Sequence, residues 1–275
     1  MAKNTIFIAF ALGFSMCLLS AFGQSAELLQ KSESLLSQGD FYQALLALEP
    51  LITADQRNHD QEQALWLANA LCEIVVRDGE FSKELEERRR RGSLEDPLKQ
   101  KRIAMLNEWG ADIGYNPLGG IYDYRYGFLK RLVELYPDSR WRPAAEYYLI
   151  RKGYNESERV GRWLNELHSY VDKNADSGLG ELYAAYLDIA HINDNLWQLL
   201  TYPDEVYSAP FSSGDPELDK EKAAQYKAEA LKYYAKAIIG GYGGRFGYPQ
   251  WFDTRNRFQK LKQDEKINRV WIIYD

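Results

Sequence analysis

The sequence predicts an all-α protein of antiparallel helical hairpins, with the hairpin pattern irregular in its C-terminal half. Three observations carry this. Apolar residues recur at the spacing of helix faces along most of the chain. A glycine–acid–phenylalanine turn, Gly39-Asp40-Phe41, returns about 40 residues later as Gly79-Glu80-Phe81, a period expected of stacked repeats. The composition, 45% hydrophobic and 27% charged over 275 residues, suffices for a large core or a continuous stack of helical pairs.

The first residues have the three parts of a secretory signal. Lys3 is the only charge, an apolar run extends from Ile6 to Leu19, and Ala21-Phe22-Gly23 places small side chains where a signal peptidase accepts them. Residues 1–23 are therefore expected to be removed, leaving Gln24 as the mature start and 24–275 as one helical domain. The apolar run is short of the roughly 20 residues a spanning helix needs, so no transmembrane span is expected after cleavage. A lipid anchor at Cys17 is disfavoured, because Phe14-Ser15-Met16 lacks the small residue that such processing wants before the cysteine. The expected location is the periplasm, with secretion as the second choice. Cleavage leaves Cys72 as the last cysteine, which excludes an intrachain disulfide.

Residues 24–91 hold the clearest hairpins. Leu28, Leu29, Ser32, Leu35 and Leu36 share one face. After Gln38-Gly39-Asp40, a second stripe follows at Phe41, Ala44, Leu45, Leu48, Leu51 and Ile52. Gly39 suits a helix stop because it reaches positive φ without a Cβ clash. The next stripe, Ala64, Leu65, Ala68, Leu71, Cys72 and Val75, leads into the second turn.

The string Gln38-Gly-Asp-Phe-Tyr-Gln-Ala44 resembles the turn of the tetratricopeptide repeat family, in which a small residue such as Ala44 lets the two helices of a repeat approach. Ser32, Leu35, Leu48 and Leu51 stand where that family places its small and core residues. In the second copy Glu84 and Arg88 depart from the pattern. A further string from Leu132 to Ala145, with Tyr136-Pro-Asp-Ser139 and Trp141, is similar to the linker of bacterial envelope members of the family. The resemblance implies a right-handed α-solenoid whose concave groove binds a protein or peptide, as a scaffold or within a cell-envelope complex. Polar or aromatic residues near first-helix faces are the candidate groove: Tyr42, Asn69, Glu73, Tyr147, Tyr183 and Tyr186.

Residues 92–120 interrupt the pattern and read as a short helix, with Pro97 in its first turns, followed by a glycine-rich loop. Residues 121–275 read as divergent helices. Their faces are Phe128 to Leu135, a helix opened by Arg142-Pro143, Val160 to Val171, Leu179 to Leu200, Ala223 to Ile238 started by Asp215-Pro216, and a tail from Asp253 with Val270 to Tyr274 extended.

Chemistry is sparse. A formal net charge of −6 argues against a nucleic-acid partner. The run Arg88 to Arg91 reads as the solvated end of a charged helix, and Gly240 to Gly247 lacks the Lys-Ser/Thr ending of a phosphate loop. Asp188, His191 and Asp194 share a helix face at metal-ligand spacing, but a bundle metal site draws further ligands from facing helices, and no second carboxylate-x-x-His string exists. No catalytic residue, metal or cofactor is expected. The competing class is a carbohydrate or cell-wall-processing enzyme, with two remote carboxylates and the abundant Tyr and Trp as sugar platforms; peptidoglycan is then the ligand.

Overall fold

The computed structural model describes residues 24–55, 57–77, 97–116, 121–152, 160–203, 211–240 and 253–266. The leader, the turn Gly79-Glu80-Phe81, the Arg88 to Arg91 run, Gly241 to Gly247 and Val270 to Tyr274 lie outside them. The protein is mostly helical, and it divides into two compact units between Ala145 and Glu146.

The first unit opens on α1 (residues 24–37), which ends where Gly39 takes φ 81°. The amides of Gly39 and Asp40 return to Leu36 O and Leu35 O, satisfying carbonyls that the helix leaves open. The Asp40 carboxylate accepts from the Gln43 amide and caps α2 (Phe41–Ala47). Ser32 Oγ donates to Ala44 O at 2.9 Å, with both residues buried, so the two small residues bring α1 against α2. The expected second stripe is broken: Leu48 separates α2 from α3 (Glu49–Ile52), whose first turn holds Pro50. The stripe residues Leu45, Leu48, Leu51 and Ile52 are nonetheless all buried.

Helices α2 and α3 pack on α4 (His59–Arg77), whose Ala64, Leu65, Ala68, Leu71 and Cys72 are almost wholly excluded from solvent. Next come α5 (Pro97–Glu108), β1 (Ile113–Asn116), β2 (Ile121–Tyr124) and α6 (Gly127–Leu135). The antiparallel hairpin of β1 and β2 corrects the loop expected before Gly120. Its register pairs Ile113 with Tyr124 and Tyr115 with Tyr122. Alternation explains it: Ile113 and Tyr124 are buried at the root of one face, while Gly114 and Asp123 lie on the other. The Gly127 backbone lies against Gly110 and Ala111 so closely that a Cβ would collide with their backbone atoms. The Arg131 guanidinium donates to Trp109 O at 2.7 Å and to Ile52 O at 3.1 Å, joining α6 to the ends of α5 and α3.

Helix α7 (Arg142–Lys152) begins in the first unit and enters the second, which continues with α8 (Val160–Lys173), α9 (Gly180–Thr201), α10 (Pro216–Ile239) and α11 (Thr254–Lys262). Asp215 accepts from the Glu217 and Leu218 amides at the start of α10, and Asp253 accepts from the Arg255 and Asn256 amides at the start of α11. Helix α9 is the centre of this unit. Every residue from Ala184 to Leu199 is buried, the state of a helix covered all round. It packs on α8 and, most extensively, on α10, with Trp163, Leu167, Leu187, Ile192, Leu196, Tyr234 and Ala237 in one core. Among the described residues no helix is long and apolar enough to cross a membrane.

Candidate functional site

Burying α9 on all sides also buries its polar residues, and each must find a partner inside the protein. Asp194 is the best served. Arg257 of α11 grips it through both carboxylate oxygens, Nε to Oδ2 at 2.6 Å and Nη2 to Oδ1 at 2.5 Å. The Tyr234 hydroxyl of α10 donates to Oδ2 at 2.9 Å, and Gln198, one turn along α9, donates to Oδ1. Burial and the neighbouring Asp194 charge hold the Tyr234 hydroxyl well above its ordinary titration range, which keeps it a donor. A two-point guanidinium–carboxylate pair of this kind fixes geometry as well as charge.

Two turns earlier on α9, Asp188 accepts from the Tyr147 hydroxyl at 2.8 Å, with Arg151 Nε 3.8 Å away. Both partners lie on α7. Burial pushes the Asp188 carboxyl up to about 6 against the pull of Arg151 and Tyr147. Between the two acids His191 sets its ring edge-on to Tyr234, with centroids 5.5 Å apart. Its burial, with the Arg257 and Arg151 charges, drives its pKa well below 6.5. The one-face spacing seen in the sequence is therefore real, but the carboxylates are turned to arginines and tyrosines of other helices. Among the described residues no three His, Cys, Asp or Glu side chains converge as a metal site would require. Sequence reasoning missed Arg257 and Arg151; an arginine in the helical tail and another one turn after Tyr147 were the available signals.

The six candidate groove residues fall three to each unit. In the first, Asn69 and Glu73 lie one turn apart on α4 and accept from the hairpin-side hydroxyls of Tyr124, at 3.1 Å, and Tyr126, at 3.4 Å. They tie the helix to the hairpin. Tyr42 is half-buried on α2, with the Arg102 guanidinium of α5 stacked 4.5 Å from its ring centroid.

In the second unit Tyr147 is buried against Asp188, and the half-buried Tyr183 meets the buried Tyr186 in the first turns of α9, with ring centroids 6.1 Å apart. Tyr233 of α10 joins them at 5.7 Å from Tyr186, and its hydroxyl lies 3.0 Å from His168 Nδ1. The Lys236 ammonium stands 5.0 Å from the Tyr186 centroid and 5.1 Å from that of Tyr233. The Tyr183 ring rests on the Gly240 backbone, where a side chain would collide with it. Tyr186 and Tyr233 are buried in this cluster of α9 and α10, so the side chains it leaves open to solvent are the half-buried Tyr183 and the exposed lysines over the rings, Lys232 and Lys236. A second aromatic contact, the Trp66–Trp141 stack at 5.1 Å in the first unit, escaped the sequence reading because its members lie 75 positions apart.

Comparison with protein-family models, curated proteins and solved structures gives no match to this chain.

Proposed function

We propose that this protein is an exported helical-hairpin scaffold of the tetratricopeptide-like kind that binds a protein or peptide partner, as part of a cell-envelope assembly. The observation that carries this reading is the α1–α2 hairpin. Gly39 at positive φ, the Asp40 cap and the Ser32–Ala44 contact supply the turn and close approach that the resemblance implies, and α2 of this hairpin packs on α4. The half-buried Tyr42 on that hairpin and Tyr183 on α9 are the partner contacts in this reading, because part-exposed tyrosines contribute large contact area at low side-chain entropy cost, whereas the candidate Tyr186 is buried behind Tyr183. Periplasmic localisation follows from the leader and stands or falls with it.

The test is crosslinking in the native compartment, followed by identification of the captured chain. The captured species is expected to be lost in variants carrying Tyr42→Ala or Tyr183→Ala. A partner retained by all of these variants, or a preparation that turns over labelled peptidoglycan, overturns the scaffold reading.

A further inference from the structure

Removal of residues 1–23, as the export reading has it, makes glutamine the first residue of the mature chain. In that place one residue carries both a nucleophile and an electrophile. The free α-amine of Gln24 and its own side-chain amide carbon, Cδ, are the two ends that close a lactam ring.

The local structure accommodates this closure. Gln24 opens α1 and is exposed, and the first buried side chain of that helix is Leu29, so the terminus stands clear of the core. The first amides of an α-helix have no acceptor within it, and a ring nitrogen there gives up no helical hydrogen bond. The lactam constrains the N–Cα bond much as the proline ring does, and proline is well placed at the start of a helix for these same reasons. Charge favours the same product. An ammonium at this end faces the positive pole of the helix dipole, whereas the lactam is neutral. The exposed Glu27 then remains in the first turn, a charge of the sign that the dipole favours.

We infer that Gln24 is a modification site, converted in the mature protein to pyroglutamate. This rests on the export reading and adds to it the chemical state of the exported terminus. The α-amine nitrogen bonds to Cδ, the bond from Cδ to Nε2 breaks, and that nitrogen leaves as ammonia with the proton the amine gives up. Nothing is oxidised or reduced, and no co-reactant is required. The product is a terminus with neither a charge nor a primary amine, closed to aminopeptidases in the compartment to which the leader directs it.

The test expresses the full chain with its leader, purifies the exported protein and follows it fresh and after several days at about pH 8, where a large share of an α-amine is neutral. Intact mass fixes the first residue. Free amines are then methylated before digestion, so that cyclisation during digestion is not mistaken for cyclisation in the protein, and cleavage at arginine gives the peptide 24–57. That peptide is expected to be short by one ammonia and to lack the α-amine label, with fragment ions placing the loss on Gln24 and the converted fraction rising with time. Gln24→Ala is expected to keep the label throughout. Gln24→Glu, whose carboxylate is a much poorer acceptor for the amine, is expected to keep it far longer than the parent. A chain that begins at Gln24 and retains a labelled amine at full mass after the incubation overturns the inference and leaves the export reading standing. A chain that keeps its leader, or begins elsewhere, overturns cleavage before Gln24 and the inference with it.

Discussion

At the scale of single residues the second unit is governed by three buried ionisable side chains on one helix. Removing Arg257 leaves the buried Asp194 carboxyl dependent on Tyr234 and Gln198 alone, so Arg257→Ala is expected to cost about 3–5 kcal/mol in urea unfolding. Asp194→Asn combined with Arg257→Met is expected to recover much of that loss, because both charges then go. Asp188 and His191 set opposing pH dependences. The folded protein holds the Asp188 proton up to about pH 6 while the unfolded chain releases it near 3.8, so this residue favours folding at low pH and the benefit disappears as pH rises through 6. His191 resists protonation when folded, whereas the unfolded chain takes the proton at 6.5, so its contribution is present above 6.5 and is lost as pH falls. Between pH 6 and 4 the two slopes oppose. Thermal scans over that range are therefore expected to show Tm dropping more steeply with acid in Asp188→Asn than in the parent. In His191→Asn, Tm is expected to rise, or to drop less steeply. Parallel curves for all three proteins would exclude this assignment.

At the scale of elements, glycines separate two physical causes. Gly39 has no atom within 4 Å of the place a Cβ would occupy, yet its φ is 81°. Gly39→Ala is therefore expected to cost only the left-handed backbone penalty, about 1–2 kcal/mol, and Gly39→Asn less. Gly127 has no such φ but abuts the Gly110–Ala111 backbone, which cannot give way. Gly127→Ala is expected to cost more than Gly39→Ala in the same denaturant titration, and the reverse order would contradict the packing described. The contrast also explains what was legible in the sequence. The α1–α2 turn was readable because a local rule, Gly followed by Asp, encodes both the stop and the cap. Helix α9 was readable in extent because apolar residues recur at helical spacing from Leu182 to Leu200. The β1–β2 hairpin was not, since Gly114, Gly119 and Gly120 look like loop punctuation and the alternation is only four residues long per strand. The Tyr115–Tyr122 contact was hidden for the same reason, since the register that brings the two rings together is not written in either four-residue strand alone.

At the scale of the whole molecule, stability has to come from burial, and the cysteines report on this. Cys72 is free and fully buried on α4, and burial, followed by the adjacent Glu73 charge, pushes its thiol far above the ordinary range. A thiol that is both unexposed and un-ionised is inert, so it should react with Ellman's reagent only through opening of the first unit. Labelling is expected to be absent in native buffer, and to rise with urea along the same curve as the loss of far-UV circular dichroism. Tm is expected to be indifferent to reductant. The number of thiols released at full denaturation tests the leader as well. Cleavage before Gln24 removes Cys17 and leaves one thiol per chain, whereas a retained leader leaves two. One thiol, with an intact mass that begins at Gln24, supports export by cleavage. A chain with its N-terminal cysteine lipidated would also titrate as one thiol, but would be heavier by the lipid and would partition into detergent, so thiol count and mass together decide among the three fates.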